Sequence, residues 1–112
     1  MHGDLMNILF VCTGNVDRSK TAEEIFKNVR GVKAKSAGTS IDAPVQLSKE
    51  LIEWADRIFV MEYRHQKTVL ELDPEASKKV VCLEIPDKYY FNQPELSILL
   101  RKRLQPYFKM HA

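Results

Sequence analysis

The chain has 112 residues, of which 45% are hydrophobic and 29% charged, a length and mix that suit one globular domain with a modest core and leave no room for a second. A net charge of +2, dispersed along the sequence, excludes a charge-driven nucleic-acid or membrane partner. Cys12 and Cys82 are too few and too far apart for a disulfide scaffold, no signal peptide is evident, and the apolar runs are far short of a bilayer span, so a reducing, cytoplasmic location is expected.

Met1 to Asp4 reads as a polar lead-in. Leu5 to Val11 predicts the first strand, and the unbroken apolar run Ile8-Leu9-Phe10-Val11 implies burial on both faces, as in a parallel sheet. A first helix is predicted from Arg18 to about Asn28, with Ala22, Ile25, Phe26 and Val29 at helical spacing and Gly31 as its stop. Val32 to Ser36 predicts a second strand whose alternating lysines suit a sheet edge. Ser40 to Val45, with Pro44, forms a loop. Leu47, Leu51 and Trp54 then recur at helical spacing behind Ser48, a cap, and Trp54 is assigned to the core.

Arg57 to Met61 predicts a third strand and Tyr63 to Leu72 a short helix ended by Asp73-Pro74. Val80 to Leu83 predicts a fourth strand with Cys82 as inert packing. Asn92 and Pro94 open the last helix, which sets Leu96, Leu99, Leu100 and Leu104 on one face before Pro106. His65 and His111 show no partner pattern and are assigned to solvent or a helix surface. The alternation of strands and helices predicts an α/β three-layer sandwich: a four-stranded parallel sheet, right-handed crossovers and helices on both faces.

Cys12-Thr13-Gly14-Asn15-Val16-Asp17-Arg18-Ser19 lies between the first strand and the first helix. Backbone amides in a loop that curls into a helix N-terminus point inward, and the helix dipole adds positive character there. Such a cradle fits a tetrahedral oxyanion and favours the thiolate of Cys12 over its thiol. Arg18 adds a planar fork of donors that matches two phosphate oxygens, and Ser19 adds a hydroxyl. The loop after the fourth strand, Glu84-Ile85-Pro86-Asp87-Lys88-Tyr89-Tyr90, leaves the sheet edge at which ligands of open α/β sheets bind, so Asp87 is placed across a cleft from Cys12.

Val11 to Ser19, followed by Ala22-Glu23, resembles the signature of the low-molecular-weight protein-tyrosine phosphatases. The likeness continues at Ser36-Ala37-Gly38-Thr39, at Ala55 to Met61 and at Ile85 to Tyr90, in the family's order. The resemblance implies strand order 2-1-3-4, a phosphocysteine intermediate on Cys12, and phosphate held by Arg18 with the amides of Thr13, Gly14, Asn15, Val16, Asp17 and Ser19. It also implies that Ser36 hydrogen-bonds Asn15 and, with Ser19, supports the loop. Asp87 is the general acid and then base, Tyr89 and Tyr90 flank the substrate ring, and neither cofactor nor metal takes part. The implied partners are a phosphotyrosine protein or another small phosphomonoester, with inorganic phosphate as product or inhibitor.

Three departures from the family pattern stand out. Asp17 occupies the place of a frequent second cysteine, which removes a protective disulfide from the loop and sets a negative charge beside it. Lys88 follows Asp87 where proline is usual, and a nearby ammonium favours the carboxylate over the acid. The stretch between Thr39 and Ala55 is short, which predicts a shallower, less selective cleft. Two rival functions are an arsenate reductase, for which only Cys82 could relay oxidation, and a weakly active phosphotyrosine-binding regulatory module.

Overall fold

The computed structural model describes residues 5–108; the lead-in at Met1 to Asp4 and the assignment of His111 lie outside them. Strands β1 (Met6–Cys12), β2 (Val32–Gly38), β3 (Arg57–Val60) and β4 (Val80–Cys82) alternate with helices α1 (Arg18–Phe26), α2 (Lys49–Trp54), α3 (Tyr63–Leu72) and α4 (Pro94–Leu104). A 3-10 turn, Pro74–Lys78, joins α3 to β4. The four strands form one parallel sheet in the order β2-β1-β3-β4, as the sequence resemblance implies.

The sheet buries both faces because β1 alternates within an all-apolar run. Ile8, Phe10 and Cys12 point to the side covered by α1 and α4, where they join Phe26, Phe59, Leu96, Leu100 and Leu104. Leu9 and Val11 point to the other side and pack with Ile52, Ile58, Val60 and Val69 beneath α2 and α3. Trp54 is half-buried against this second core, with the Lys35 ammonium 4.4 Å from its ring centre. Lys79 donates to the carbonyls of Ile52 and Ala55 at 2.6 and 2.7 Å, which satisfies the end of α2.

Several boundaries shift by one or two residues: β1 ends at Cys12 and not Val11, α1 at Phe26 and not Asn28, β3 at Val60 and not Met61, and β4 at Cys82 and not Leu83. β2 runs on through Gly38 and not only to Ser36, so Ser36-Ala37-Gly38 is buried strand, paired with Phe10, Val11 and Cys12. The helix behind Ser48 is short, and Ser48 caps it by accepting the Leu51 N–H at 3.2 Å. All four strands end on one edge of the sheet, and the chain leaving each of them is tied to its neighbours. Thr39 and Ser40 donate to the carbonyls of Cys12 and Thr13, both at 3.0 Å; Met61 donates to Val11 at 3.0 Å; and Ile85 donates to Met61 at 2.8 Å. Among the described residues no helix is long and apolar enough to cross a membrane.

Candidate active site

Cys12 ends β1 at the centre of this edge, 2% exposed. Its sulfur receives the main-chain N–H of Asn15 at 3.2 Å and lies 3.1 Å from Ser19 Oγ. Asn15 adopts a left-handed backbone, φ 56°, which its side chain tolerates better than most. That turn sends the buried amide of Asn15 inward, where its nitrogen donates to Ser19 Oγ at 3.0 Å and to Ser36 Oγ at 2.9 Å. Because Ser19 Oγ accepts from Asn15, its own proton is free to point at the sulfur. Ser36 Oγ in turn donates to Glu23, and Asn15 Oδ1 accepts the Val45 N–H at 3.1 Å. The short segment after β2 therefore folds back to brace the loop from outside.

Gly38 makes this close approach possible. A Cβ there would sit 2.5 Å from the Thr13 carbonyl oxygen and 2.7 Å from Ala43 Cβ, so only glycine lets β2 run directly beneath the loop.

Arg18 opens α1, 2% exposed, and its carboxylate and carbonyl partners come from two other strands' loops. Nη1 donates to Glu62 Oε2, just after β3, and to the Ile85 carbonyl at 2.7 Å, just after β4. Nη2 lies 3.7 Å from Asp87 Oδ1, and among the described residues neither Nη2 nor Nε donates a hydrogen bond to the protein. The fork is thus anchored through Nη1 alone. Glu62 also accepts from Arg64 at 3.0 and 3.2 Å, and these bonds, with Arg18, hold its carboxyl at about 2.

The structure places Asp87 on the exposed loop after β4, between Arg18 and Arg64, whose Nη2 is 3.8 Å from Asp87 Oδ2. The cations facing Asp87 are these two guanidiniums; the Lys88 ammonium sits 5.6 Å over the Tyr89 ring. Asp17 is the N-cap residue of α1 through its carbonyl, which accepts from Thr21 N and Oγ1 at 2.9 and 2.7 Å; its carboxylate makes no capping bond. Val16 is exposed at the crest of the loop, while Thr13 and Gly14 are half-buried beside the sulfur. Tyr89 is half-buried against the α4-side core, and Tyr90 is exposed with its N–H on Gln93. The aromatic side chain lining the cavity of about 450 Å³ beside Asn15 and Val16 is Phe91, which the sequence did not single out.

His65 requires a correction. It is not a surface histidine but a buried one, 1% exposed, with Nε2 2.8 Å from Thr13 Oγ1 and Nδ1 accepting the Glu62 N–H at 3.0 Å. The helix period hid it, because the third position of α3 faces the loop after β1 and not solvent. Glu62 was missed for the same reason: nothing local marks a residue whose partner is 44 positions away. Among the described residues no group of three or more His, Cys, Asp or Glu side chains could hold a metal ion.

A buried cysteine whose sulfur accepts a loop amide, a guanidinium anchored through one nitrogen and a carboxylate 3.7 Å from it are thus gathered at one edge of the sheet. A model of the family described as low molecular weight phosphotyrosine protein phosphatase matches residues 7–46. A protein-arginine-phosphatase of Geobacillus stearothermophilus is 35% identical across 101 aligned positions, covering 69% of this chain and 68% of that protein. The low molecular weight protein-tyrosine-phosphatase Wzb of Escherichia coli K12 is 32% identical across 114 aligned positions, covering 74% and 78%. In solved structures, the fold is shared with the tyrosine phosphatase Wzb of Escherichia coli K30 in complex with phosphate, at TM-score 0.76, 24% identity and coverage of 92% and 96%. The YwlE arginine phosphatase of Geobacillus stearothermophilus superposes at TM-score 0.68 with 26% identity, covering 95% and 99%.

Proposed function

This chain belongs to the low molecular weight phosphotyrosine protein phosphatase family, and from that premise we propose that it hydrolyses phosphomonoesters, phosphotyrosine in proteins above all, through a phosphocysteine on Cys12. The observation that carries the reading is the surround of the sulfur, which accepts the Asn15 N–H at 3.2 Å and lies 3.1 Å from the Ser19 hydroxyl, with a buried Arg18 at the far end of the same loop. Donors so placed favour a thiolate as attacking group and again as leaving group.

In the first step Cys12 Sγ attacks phosphorus in line as the bond to the substrate oxygen breaks. The equatorial oxygens take the amides from Thr13 to Ser19 and the unanchored Nη2 and Nε of Arg18. Asp87, at the mouth and beside Arg18, gives a proton to the departing oxygen, a contribution of about 100- to 10,000-fold. In the second step water attacks the phosphocysteine, Asp87 takes its proton, phosphate forms and the sulfur leaves as thiolate under the Ser19 hydroxyl. No cofactor enters this scheme. Residues 1–112 act as one unit, and the free thiol of Cys12 suits a reducing, cytoplasmic setting. Because the segment after Thr39 braces Asn15, the substrate cleft is shallow, and Val16 and Phe91 line the cavity beside the loop.

A second reading, phosphoarginine as substrate, is favoured by the 35% identity to the protein-arginine-phosphatase. One experiment separates them: wild type and Cys12→Ser are assayed on an aryl phosphate, a phosphotyrosine peptide and a phosphoarginine peptide. Turnover of the first two, lost in Cys12→Ser and inhibited by vanadate, is the expected result. Turnover of phosphoarginine alone transfers the assignment, and activity that survives Cys12→Ser removes the mechanism.

A further inference from the structure

His65 is a buried titratable side chain that the two chemical steps do not use. Its bonds define its protonation. Nδ1 lies 3.0 Å from the Glu62 main-chain nitrogen, which can only donate, so Nδ1 carries a lone pair and the ring proton is on Nε2. Nε2 therefore donates to Thr13 Oγ1 at 2.8 Å, and the Thr13 hydroxyl proton is turned away from the ring. Burial, with the Arg18 charge, pulls the imidazole down to about 4, so this neutral tautomer persists across the neutral range.

Glu62 binds His65 through its N–H and Arg18 through its carboxylate. Thr13 is the first residue after the nucleophile and Arg18 lies at the loop's far end. One helix start thus grips both ends of the Cys12–Ser19 loop.

We propose that the N-terminus of α3 is a positioning clamp for the phosphate loop, in which His65 acts through Thr13 and Glu62 acts through Arg18 to hold the donors in register with a bound phosphoryl group. The clamp rests on the phosphatase reading above. Its worth follows from the tolerance of such sites, where a shift of about 1 Å costs on the order of 100-fold in rate. His65 touches no reacting atom; it is a positioning residue.

The test uses aryl phosphate kinetics, inhibition by inorganic phosphate and thermal unfolding for His65→Leu, His65→Gln, Thr13→Val and the double variant His65→Leu/Thr13→Val. Glutamine is suited to the third helix position, where its carbonyl can take the Glu62 N–H while its amide N–H reaches Thr13, with no titratable proton. His65→Leu is expected to lower kcat/KM about 30-fold and to weaken phosphate inhibition. His65→Gln should recover at least tenfold of that loss, and the double variant should be no worse than either single one, because the two side chains act as a unit. Folded His65→Leu with wild-type constants, failure of glutamine to recover activity in a folded protein, or additive losses would each overturn the clamp. Should His65→Leu not fold, nitrogen NMR of the wild-type imidazole decides: a proton on Nε2 supports the clamp and one on Nδ1 overturns it. That readout needs no turnover, so a wild type without phosphatase activity counts against the proposed function separately.

Discussion

Glu62 and Arg18 form an ion pair in which the guanidinium is almost fully buried, 2% exposed, while the carboxylate side chain is 28% exposed. The pair is therefore asymmetric: removing the carboxylate strands a buried cation, whereas removing the cation leaves a carboxylate that water and Arg64 can still satisfy. Glu62→Ala should lower stability by about 2 kcal/mol, read as a shift in urea midpoint at constant slope. An unchanged midpoint would show that Ile85 and Asp87 alone suffice to hold Arg18.

The pH dependence of stability follows from two groups that resist protonation in the folded state. Glu62 titrates at about 2 when folded against 4.5 when unfolded, held down by Arg64 and Arg18. His65 titrates at about 4 against 6.5, held down chiefly by burial. In each case the unfolded chain binds the proton first, so stability falls as pH falls: through His65 between 6.5 and 4, and through Glu62 between 4.5 and 2. Urea midpoints measured from pH 7 to pH 2 should decline over both windows. His65→Gln should flatten the upper one only.

Asp87 is tested by leaving group. Asp87→Asn should slow hydrolysis of alkyl-like, poorly leaving phosphates by about 100-fold or more and activated aryl phosphates far less, since only the former need a proton at departure. Equal losses on both would take Asp87 out of the acid role.

Asn15→Asp is nearly isosteric but reverses the polarity of the brace. A carboxylate cannot donate, so Ser19 and Ser36 would donate to it and the Ser19 proton would be withdrawn from Cys12 Sγ. Turnover should drop by about 100-fold, the loss expected for one donor at a developing charge. Alkylation of Cys12 by iodoacetamide at a fixed pH should be slower than in wild type. An unaltered alkylation rate would rule out the Asn15–Ser19–Cys12 chain as a support for the sulfur.

Gly38→Ala should disturb the loop from below, since the added carbon meets a backbone oxygen at 2.5 Å that cannot move without shifting Thr13. A stability loss of about 2 kcal/mol is expected, with a disproportionate loss of phosphate binding by isothermal titration.

Much of the fold was legible because its signals are local. The unbroken run Ile8 to Val11 announced a strand buried on both faces, Asp73-Pro74 ended α3 where expected, and Ser48 announced a cap that is made. The loop was legible because its residues are contiguous. Glu62 and His65 were not, since each owes its place to a partner distant in sequence and neither belongs to a recognisable local pattern. β2 was ended two residues early, at Ser36, because the small residues Ala37 and Gly38 show no strand pattern of their own until β1 is laid beside them.

Arg18 takes its carbonyl partner from a residue 67 positions away, and the parts around it come from the ends of all four strands. Long-range closures of this kind are the slow events of folding. Ligand capture by this protein is thus an all-or-nothing readout of a completed chain: a truncation before β4 should bind no anion, and during refolding the recovery of phosphate affinity should trail the return of helical signal.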